Sequence, residues 1–428
     1  MVQARDPRED DDDSARSASP SPALSRRAFA ALALAALSGC DAPSSPPERL
    51  ASARPLPSPT PPPSPSPGPP PLSPLLRAYP GLAAHLPRLP LALLPTPIER
   101  AARLGRRAGL DALYVKRDDL SGDLHGGGKT RKLELLLAEA REAGARAVVT
   151  FGGAGSNHAV ATALYAARLG LRTTLLLAPQ AGGDHLRENL LAALRAGAEI
   201  RLVPGVAQAE AAARRVAARS APGEAPHVIA PGGTSPLGNL AFINAGLELA
   251  EQVAAGAMPA PEVLYVAMGT MGCAAGLALG VKLGGLPTQV VAVRASSPET
   301  SSEPRLLALA EATVAYARRL DPSFPRVRLA RGEVRIEPGF LGAGYARPTP
   351  EGVRAVALAR EEEGWALETT YTGKALAALL GHAPALRGKV ALFWNTHNAR
   401  PLAVEGADPR DLPAGLRAYF KTPDRGQR

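Results

Sequence analysis

The sequence predicts an α/β protein with two lobes, in which parallel-rich sheets are flanked by helices. From Leu76 to Arg428, short apolar runs of strand length alternate with segments of helical periodicity, a pattern typical of βαβ units. Several of these runs end directly in glycine-rich turns, where α/β proteins commonly bind ligands. With 428 residues and 46% hydrophobic content, the chain can bury the core of one large or two medium domains.

Eight apolar runs have the length of buried strands. They lie at Leu113–Val115, Ala147–Phe151, Thr173–Ala178, Ile200–Val203, His227–Ala230, Val263–Met268, Val290–Arg294 and Val390–Asn395. Helical periodicity separates most of them, most clearly over Leu133–Ala143. We assign residues 131–244 to a smaller lobe and residues 76–130 together with 245–428 to a larger one.

The first 40 residues have the features of an export signal. Arg26 and Arg27 precede an apolar run from Ala30 to Leu37, which is too short to cross a bilayer as a helix. The paired arginines resemble a twin-arginine signal, and the four residues ending at Cys40 resemble a lipobox, in which Cys40 would be acylated. We therefore expect an exported protein whose only membrane contact is this lipid anchor; the alternative is a cytoplasmic protein with a disordered extension.

Residues 41–75 form a linker rich in Pro and Ser, where many of the 44 prolines of the chain are concentrated. Such a segment cannot build a core and favours the extended polyproline II conformation, which makes it a semi-rigid spacer.

Composition excludes several classes of function. The net charge is +10, but only seven of the 49 basic residues are Lys, and the basic residues form no patches interleaved with aromatics, so we do not expect a nucleic-acid partner. Two cysteines exclude a disulfide scaffold and a zinc finger. The seven histidines are scattered without ligand spacing, so we expect no metal site.

Three glycines, Gly126 to Gly128, precede Lys129 at the start of a predicted helix. Glycines let the backbone approach a ligand closely, and the dipole at this end of a helix disfavours a charged ammonium group. A lysine in this position favours Schiff-base chemistry. The same pattern also fits a phosphate-binding turn or an ordinary glycine loop, although the spacing is not that of a P-loop.

Two further strands run into turns of this kind. The strand Ala147–Phe151 leads to Ser156 and Asn157 at a helix start, which is typical of a ligand-binding edge, although Ser156 alone fits a simple N-cap equally well. The strand Val263–Met268 leads into Gly269-Thr270-Met271-Gly272-Cys273 and then a helix. Backbone N–H groups, a hydroxyl and a helix N-terminus suit a phosphate there, and the absence of a dinucleotide fingerprint argues against a nicotinamide enzyme.

Together these motifs resemble those of the 1-aminocyclopropane-1-carboxylate (ACC) deaminase and D-cysteine desulfhydrase family, which belongs to the fold-type II pyridoxal-phosphate enzymes with the tryptophan synthase β-chain fold. The residues that carry the resemblance are Lys116-Arg117-Asp118-Asp119, Gly126 to Glu134, Gly152-Gly153, Ser156-Asn157-His158, Pro231 to Gly238, Gly269 to Gly276 and Tyr371-Thr372-Gly373-Lys374. They occur in the family's order and span nearly all of the chain between Leu94 and Asn398.

The resemblance implies that pyridoxal 5′-phosphate is the cofactor and that Lys129 binds it as a Schiff base and later acts as general base. It implies that Asn157 donates a hydrogen bond to the phenolic oxygen of the cofactor. The residues expected around the phosphate are Gly269, Thr270, Gly272 and Cys273.

The resemblance also implies that Ser156, Tyr345 and Tyr371 line the substrate pocket, where they would hold the carboxylate of a small amino acid or assist proton transfer. The active site would then lie in the cleft between two lobes. We expect a homodimer.

Thr372 is the most informative position for the reaction. The resemblance places it against the pyridine nitrogen, where ACC deaminases carry Glu and desulfhydrase-like members carry Thr. A neutral hydroxyl makes the cofactor ring a weaker electron sink than a carboxylate does, and this suffices when a good group leaves from Cβ. His158, in place of a Gln, points the same way. We therefore expect β-elimination of the D-cysteine desulfhydrase type.

Three departures from the family pattern leave alternatives open. Met271 and Cys273 replace smaller or hydroxylated residues, Glu368-Thr369-Thr370 replaces Asp-Pro-Val, and Asn395-Thr396-His397-Asn398 replaces a turn with two glycines. One alternative is a deaminase that acts on ACC or on another small amino acid. An alternative of a different class is a lipoprotein that binds an amino acid or the cofactor without turnover.

Overall fold

The computed structural model of the chain describes residues 72–182, 184–218 and 225–421. The predicted export signal, Cys40 and the linker up to residue 71 lie outside the described residues, so these features remain predictions. Within the described ranges, no helix combines the length and apolar character needed to cross a membrane.

In the part of the chain that the structure describes, ten strands form two sheets. The strands are β1 (Ile98–Arg100), β2 (Ala112–Lys116), β3 (Ala147–Gly153), β4 (Arg172–Ala178), β5 (Glu199–Leu202), β6 (His227–Ile229), β7 (Val263–Met268), β8 (Gln289–Arg294), β9 (Val334–Glu337) and β10 (Val390–Trp394). One sheet has the order β1-β2-β10-β7-β8-β9 and the other has the order β5-β4-β3-β6. All neighbouring strands are parallel except β1 and β2, which are antiparallel.

Helices connect and cover these strands. The α-helices of the described ranges are α1 (Pro74–Ala78), α2 (Ala102–Ala108), α3 (Gly128–Glu142), α4 (Asn157–Arg168), α5 (Asp184–Arg195), α6 (Val206–Ala218), α7 (Pro236–Ala254), α8 (Gly272–Leu283), α9 (Glu303–Leu320), α10 (Pro350–Glu363), α11 (Thr372–Gly381) and α12 (Ala414–Arg417). The largest hydrophobic core is formed by α3, α7, α8 and α9 with strands of both sheets. A parallel-rich α/β architecture, as predicted, follows from these connections.

The parallel arrangement brings the glycine-rich turns together. Turns follow the carboxyl ends of β3 and β6 in the four-stranded sheet and of β2, β7 and β10 in the six-stranded sheet. Register keeps these ends level: Leu392 of β10 pairs with Tyr114 of β2 and with Leu264 of β7. Ligands bind at the carboxyl ends of parallel strands. The edge formed by these strand ends is therefore where we expect the site.

The C-terminal segment, which we predict to belong to the larger lobe, packs on the four-stranded sheet. Leu412 and Leu416 share a core with Leu175 of β4, and the hydroxyl of Tyr419 accepts from N–H and donates to C=O of Gln180 at 2.9 and 2.8 Å. The predicted lobe limits at 131 and 244 fall inside α3 and α7 and remain a prediction.

A buried ionic network fixes the start of α3 to β2 and α7. The guanidinium of Arg131 lies 2.7 Å from Asp118 and 2.8 Å from Glu248, and Lys116 Nζ lies 2.6 Å from Glu248. Each of these side chains is at most 2% exposed. The indole of Trp394 at the end of β10 donates to Asp118 at 2.8 Å. The first turn of α3 is therefore held in a defined place relative to β2, β10 and α7.

Candidate active site

The glycine run before Lys129 is required by packing against the turn after β10. Gly127 has φ of +84°, and a Cβ at this position would lie 2.5 Å from the Thr396 carbonyl oxygen. The N–H of Gly128 donates to this same oxygen at 3.2 Å, and the N–H of Gly126 donates to Asn398 Oδ1 at 2.6 Å. Asn398, which departs from the family pattern, therefore anchors the glycine loop.

Lys129 lies in the first turn of α3 and is partly buried. Within the described residues its ammonium nitrogen has no hydrogen bond and no ion pair, whereas Lys116 and Lys132 have bonded partners. Lys132 lies one helical turn further on, so the two side chains share a face of α3. The amine of Lys129 is thus left without a partner among the described residues. It lies beside Lys132, whose amine is hydrogen-bonded next to the predicted phosphate turn, residues 269–273.

The turn 269–273 forms a cradle with that second lysine, which the sequence analysis did not single out. Lys132 Nζ donates to the Gly232 carbonyl at 3.2 Å and to Thr234 Oγ1 at 3.3 Å, and the hydroxyls of Thr234 and Thr270 lie 2.7 Å apart. A Cβ on Gly272 would lie 2.6 Å from Lys132 Nζ, so a side chain at this position would displace the ammonium group.

The helix α8 begins in this cradle without a cap. No described side chain caps its N-terminus, and Met271 at the N-cap has left-handed φ of 66°. The N–H groups in the first turn of a helix have no partner within the helix, and they attract anions. Thr270 and Cys273 lie on either side of Met271, so the predicted phosphate residues, a lysine and an uncapped helix meet in one place. These groups fit a phosphate.

Burial lowers the pKa of Lys132 to about 8, an effect that the charge of Lys129 increases, while the thiol of Cys273 acts in the opposite direction. Behind Lys132 lies His158, which is 1% exposed and has no hydrogen-bond partner on either ring nitrogen among the described residues. Burial, followed by the charge of Lys129, holds the pKa of His158 well below its ordinary value. His158 is therefore neutral at physiological pH, and Lys132 supplies the positive charge.

Ser156 and Asn157 begin α4 at the end of β3. The hydroxyl oxygen of Ser156 accepts from the N–H of Ala159 at 3.2 Å, so Ser156 is an N-cap whose proton remains available. Asn157 Oδ1 accepts from Asn189 Nδ2 at 3.0 Å. Since Asn189 thereby fixes the amide orientation, the NH₂ group of Asn157 is the part left to donate to a ligand. Asn189 lies on α5 and could not be identified from the sequence.

Tyr345 and Tyr371 form a hydrogen-bonded pair with their hydroxyls 2.9 Å apart and their rings edge-on. The Tyr371 ring lies 3.0 Å from where Gly269 would carry a Cβ, and the Tyr345 ring lies 3.3 Å from the corresponding point on Gly153. The pair therefore connects the phosphate-type turn with the end of β3. Burial raises the pKa of Tyr345 and that of Tyr371, so both are protonated at physiological pH.

Lys374 holds the loop that carries Tyr345. Its side chain is fully buried, and Nζ donates to the carbonyls of Leu341 and Gly344 at 2.8 and 3.1 Å. The lysine of the Tyr371-to-Lys374 motif therefore has a positioning role.

Thr372 is 1% exposed at the start of α11. Its hydroxyl lies 3.2 Å from Glu368 Oε1, and the Glu368 carboxylate also accepts from the N–H groups of Thr370, Tyr371 and Thr372 at 2.7, 2.9 and 2.8 Å. The Thr372 hydroxyl, which the sequence suggests is an isolated neutral group, is therefore in contact with a carboxylate.

His397 is the second unexpected side chain at this edge. Its Nδ1 is buried without a partner among the described residues, and burial lowers its pKa to about 4 although the charge of Glu368 opposes this. Burial would raise the pKa of Glu368, but the fields of His397 and His185, together with the backbone donors, lower the pKa below its ordinary value. Glu368 is therefore a carboxylate, and His397 is neutral, at physiological pH.

A model of the pyridoxal-phosphate dependent enzyme family matches residues 89–396. The chain belongs to this family. Among curated relatives, nocardicin C-9′ epimerase of Nocardia uniformis subsp. tsuyamanensis is 40% identical over 332 residues, covering 76% of this chain and 98% of the relative. D-cysteine desulfhydrase of Salmonella choleraesuis (strain SC-B67) is 33% identical over 306 residues, covering 69% and 88%.

Solved structures agree with this assignment. The crystal structure of an ACC deaminase homologue has a TM-score of 0.64 and 31% identity, and the match covers 76% of this chain and 95% of that one. Threonine deaminase isoform 2 from Solanum lycopersicum, with a TM-score of 0.51 and 18% identity over 76% of this chain and 84% of that one, shares the fold.

These matches confirm the fold-type II architecture, the membership in the ACC deaminase and D-cysteine desulfhydrase family and the dependence on pyridoxal phosphate. The chain is a pyridoxal-phosphate-dependent enzyme of the lyase and deaminase type. The alternative of a non-catalytic binding protein gains no support, because the relatives are named as enzymes.

Proposed function

We propose that this enzyme removes the α-proton of a small amino acid and eliminates a leaving group from Cβ, as D-cysteine desulfhydrases do. With D-cysteine and water the products would be pyruvate, ammonia and hydrogen sulfide. The observation that carries the proposal is the free amine of Lys129 beside a phosphate cradle in which Lys132 is already bonded. Lys129 is then the lysine that binds the cofactor, and Lys132 the one that pairs with its phosphate.

Different side chains and backbone groups of the chain have different roles in this reaction. Pyridoxal phosphate, when bound, supplies the electron sink that stabilises negative charge at Cα. Lys129, displaced by the amine of the substrate, takes the α-proton. The amide NH₂ of Asn157 and the uncapped start of α8 orient the ring and the phosphate. Ser156 retains a proton that can bind the substrate carboxylate.

The Tyr345–Tyr371 pair is the proton donor in this scheme. A tyrosine whose pKa is raised by burial is a poor base at neutral pH, but it can pass a proton along the 2.9 Å contact. Protonating the departing sulfur, or Cα itself, requires a group of this kind. A donor near Cα also suits the second candidate reaction.

Epimerisation at Cα is the second candidate. The 40% identity to nocardicin C-9′ epimerase over 98% of its length favours it. Removal of a proton by Lys129 and delivery of another by the tyrosine pair would invert Cα without loss of a Cβ group. ACC deamination is the weaker alternative, because Thr372 stands where ACC deaminases carry Glu.

Incubation of the purified protein in D₂O with D-cysteine, L-cysteine, D-serine and ACC separates these reactions. Elimination predicts keto acid and ammonia from a substrate with a leaving group at Cβ. Epimerisation predicts deuterium at Cα and the opposite enantiomer without keto acid. If the cofactor-loaded enzyme gives neither product nor exchange with any of the four, the small amino-acid substrate class is wrong.

Gly272→Ala should weaken cofactor binding, because its Cβ would press against Asn239 Oδ1 and lie 2.6 Å from Lys132 Nζ. Overpacking typically costs about 1–3 kcal/mol, which corresponds to roughly a 5- to 150-fold weaker Kd for pyridoxal phosphate. Fluorescence titration with pyridoxal phosphate measures this Kd. The matched control is Gly109→Ala, where φ is +70° and no atom of the described residues lies within 4 Å: it should lose stability and retain cofactor affinity. Equal affinity in both variants would contradict the assignment of the cradle.

Binding of phosphate should weaken as the pH rises through about 8, because Lys132 loses its charge there. The probe is pyridoxine 5′-phosphate, an alcohol that cannot form a Schiff base with Lys129. The protonated ammonium attracts the phosphate and the neutral amine does not, so the Kd should rise above this pH. In Lys132→Arg, whose side chain remains charged, the Kd should stay flat up to about pH 10. A parallel rise in both proteins would show that another group controls binding.

A further inference from the structure

We propose that Glu368 is a positioning residue that fixes the Thr372 hydroxyl as a hydrogen-bond acceptor toward the ring nitrogen of the cofactor, and so keeps that nitrogen protonated. This rests on the proposed function and on the family resemblance, which implies that Thr372 faces the ring. The pair of Glu368 and Thr372 would then replace a carboxylate that touches the nitrogen directly.

The hydrogen-bond capacity of Thr372 carries the inference. A hydroxyl has one proton and two lone pairs. One lone pair accepts the N–H of Glu368 at 3.1 Å, and the proton can go to Glu368 Oε1 at 3.2 Å or to the Glu368 carbonyl at 3.5 Å. Either way one lone pair and no proton remain. A ligand atom that meets Thr372 must therefore be a donor, which a protonated ring nitrogen is and a bare one is not.

The charge of Glu368 strengthens this arrangement. The carboxylate is 5% exposed, and among the described residues it has no cation in an ion pair, so its negative field reaches Thr372 with little screening from solvent. The ring of His397 lies close enough to interact with Glu368 but is neutral at physiological pH. A hydroxyl that donates to a carboxylate is in turn a better acceptor.

A helix-capping role alone does not explain this geometry. The three N–H groups of Thr370, Tyr371 and Thr372 account for capping. The contact between the Thr372 hydroxyl and Oε1 is additional, and it determines which partner Thr372 can bind. A protonated ring nitrogen makes the cofactor a stronger electron sink. The ring is therefore a stronger sink with the Glu368–Thr372 pair than it would be with Thr372 alone. Reactions without a Cβ leaving group, such as epimerisation, then become accessible.

The test uses the full-length enzyme loaded with pyridoxal phosphate labelled with ¹⁵N in the ring, and the readout is the ¹⁵N chemical shift. We expect a protonated nitrogen in the native enzyme and a shift toward the neutral position in Glu368→Gln, together with about a 10- to 100-fold loss in kcat for α-proton exchange at unchanged KM. Glu368→Asp, which keeps the carboxylate, should restore the shift. Glu134→Gln, which alters another buried carboxylate bonded to backbone N–H groups, should leave it unchanged.

A second pair of variants removes the dependence on Glu368→Gln folding correctly. Thr372→Ser keeps the hydroxyl and should keep the protonated signal, while Thr372→Val should lose it. A loaded native enzyme with a neutral nitrogen, or a signal that Glu368→Gln and Thr372→Val both leave unchanged, overturns the inference while the proposed function stands. A native enzyme that never forms a Schiff base with Lys129 overturns the proposed function itself.

Discussion

Lys129→Ala should give a protein that lacks the absorbance band of the Schiff base and has no measurable turnover. The native enzyme should be yellow, with a near-visible absorbance band from the Schiff base, because Lys129 is the unbonded amine beside the phosphate cradle. Loss of the general base alone costs about 10²- to 10⁴-fold in rate, and loss of the covalent attachment adds to it. Absorbance spectra and assays of keto acid, ammonia and α-proton exchange measure both effects.

The control for this variant is Lys389→Ala, since Lys389 is exposed and lies just before β10. It should retain the colour and the activity. Lys129→Ala should also bind pyridoxine 5′-phosphate, because Lys132 and the start of α8 remain. A Lys129→Ala protein that still carries a pyridoxyl group after borohydride reduction would show that another lysine binds the cofactor.

Arg131→Ala should cause a large loss of stability. It would leave Asp118 and Glu248, each at most 2% exposed, without their shared cation. Breaking a buried ion pair by removing one partner typically costs about 3–5 kcal/mol, because a buried charge is left uncompensated. Urea unfolding followed by circular dichroism measures the change in the free energy of unfolding.

The comparison variant is Arg354→Ala, whose ion pair with Glu351 on α10 is exposed. It should change the free energy of unfolding by less than about 1 kcal/mol. Similar losses in the two variants would contradict the view that burial makes the Arg131 network important. Because Arg131 lies two residues after Lys129, Arg131→Ala should also reduce cofactor loading.

The same network predicts the direction of acid sensitivity. Burial opposes ionisation of Glu248, but Arg131 and then Lys116 outweigh it and lower its pKa from 4.5 to about 2. A carboxylate with a lowered pKa in the folded state contributes stability that is fully present above pH 4.5 and is lost as the pH falls toward 2. The pKa of Lys116 is itself lowered, because burial outweighs its attraction to Glu248.

Most of the fold could be predicted because buried parallel strands are apolar along their whole length. Each of the eight predicted runs overlaps a strand, and Val263–Met268 has the predicted limits. The two strands that were missed lie at the edges of the six-stranded sheet. β1 has only three residues, none of them buried, and β9 alternates apolar with charged residues. Edge strands such as these form because a neighbour pairs with them, so local sequence carries little signal.

The candidate site could be predicted where glycine marks a close approach of the backbone, and it could not be predicted where the partners come from distant segments. The turns at Lys129, Ser156 and Gly269 were found, and they meet at one edge. Asn189 and Glu368 were missed as contributors, because their contacts with Asn157 and Thr372 depend on where α5 and the turn before α11 pack. Lys132 could have been found from its spacing of three residues from Lys129 on a helix.

The most direct test of the central claim is to reduce the loaded enzyme with sodium borohydride and to map the labelled peptide by mass spectrometry. Reduction turns a Schiff base into a stable secondary amine at whichever lysine carries the cofactor. We predict a single pyridoxyl group on Lys129, with Lys132 unmodified. A label on Lys132, or no label on an enzyme that has cofactor bound, would contradict the division of roles between the two lysines.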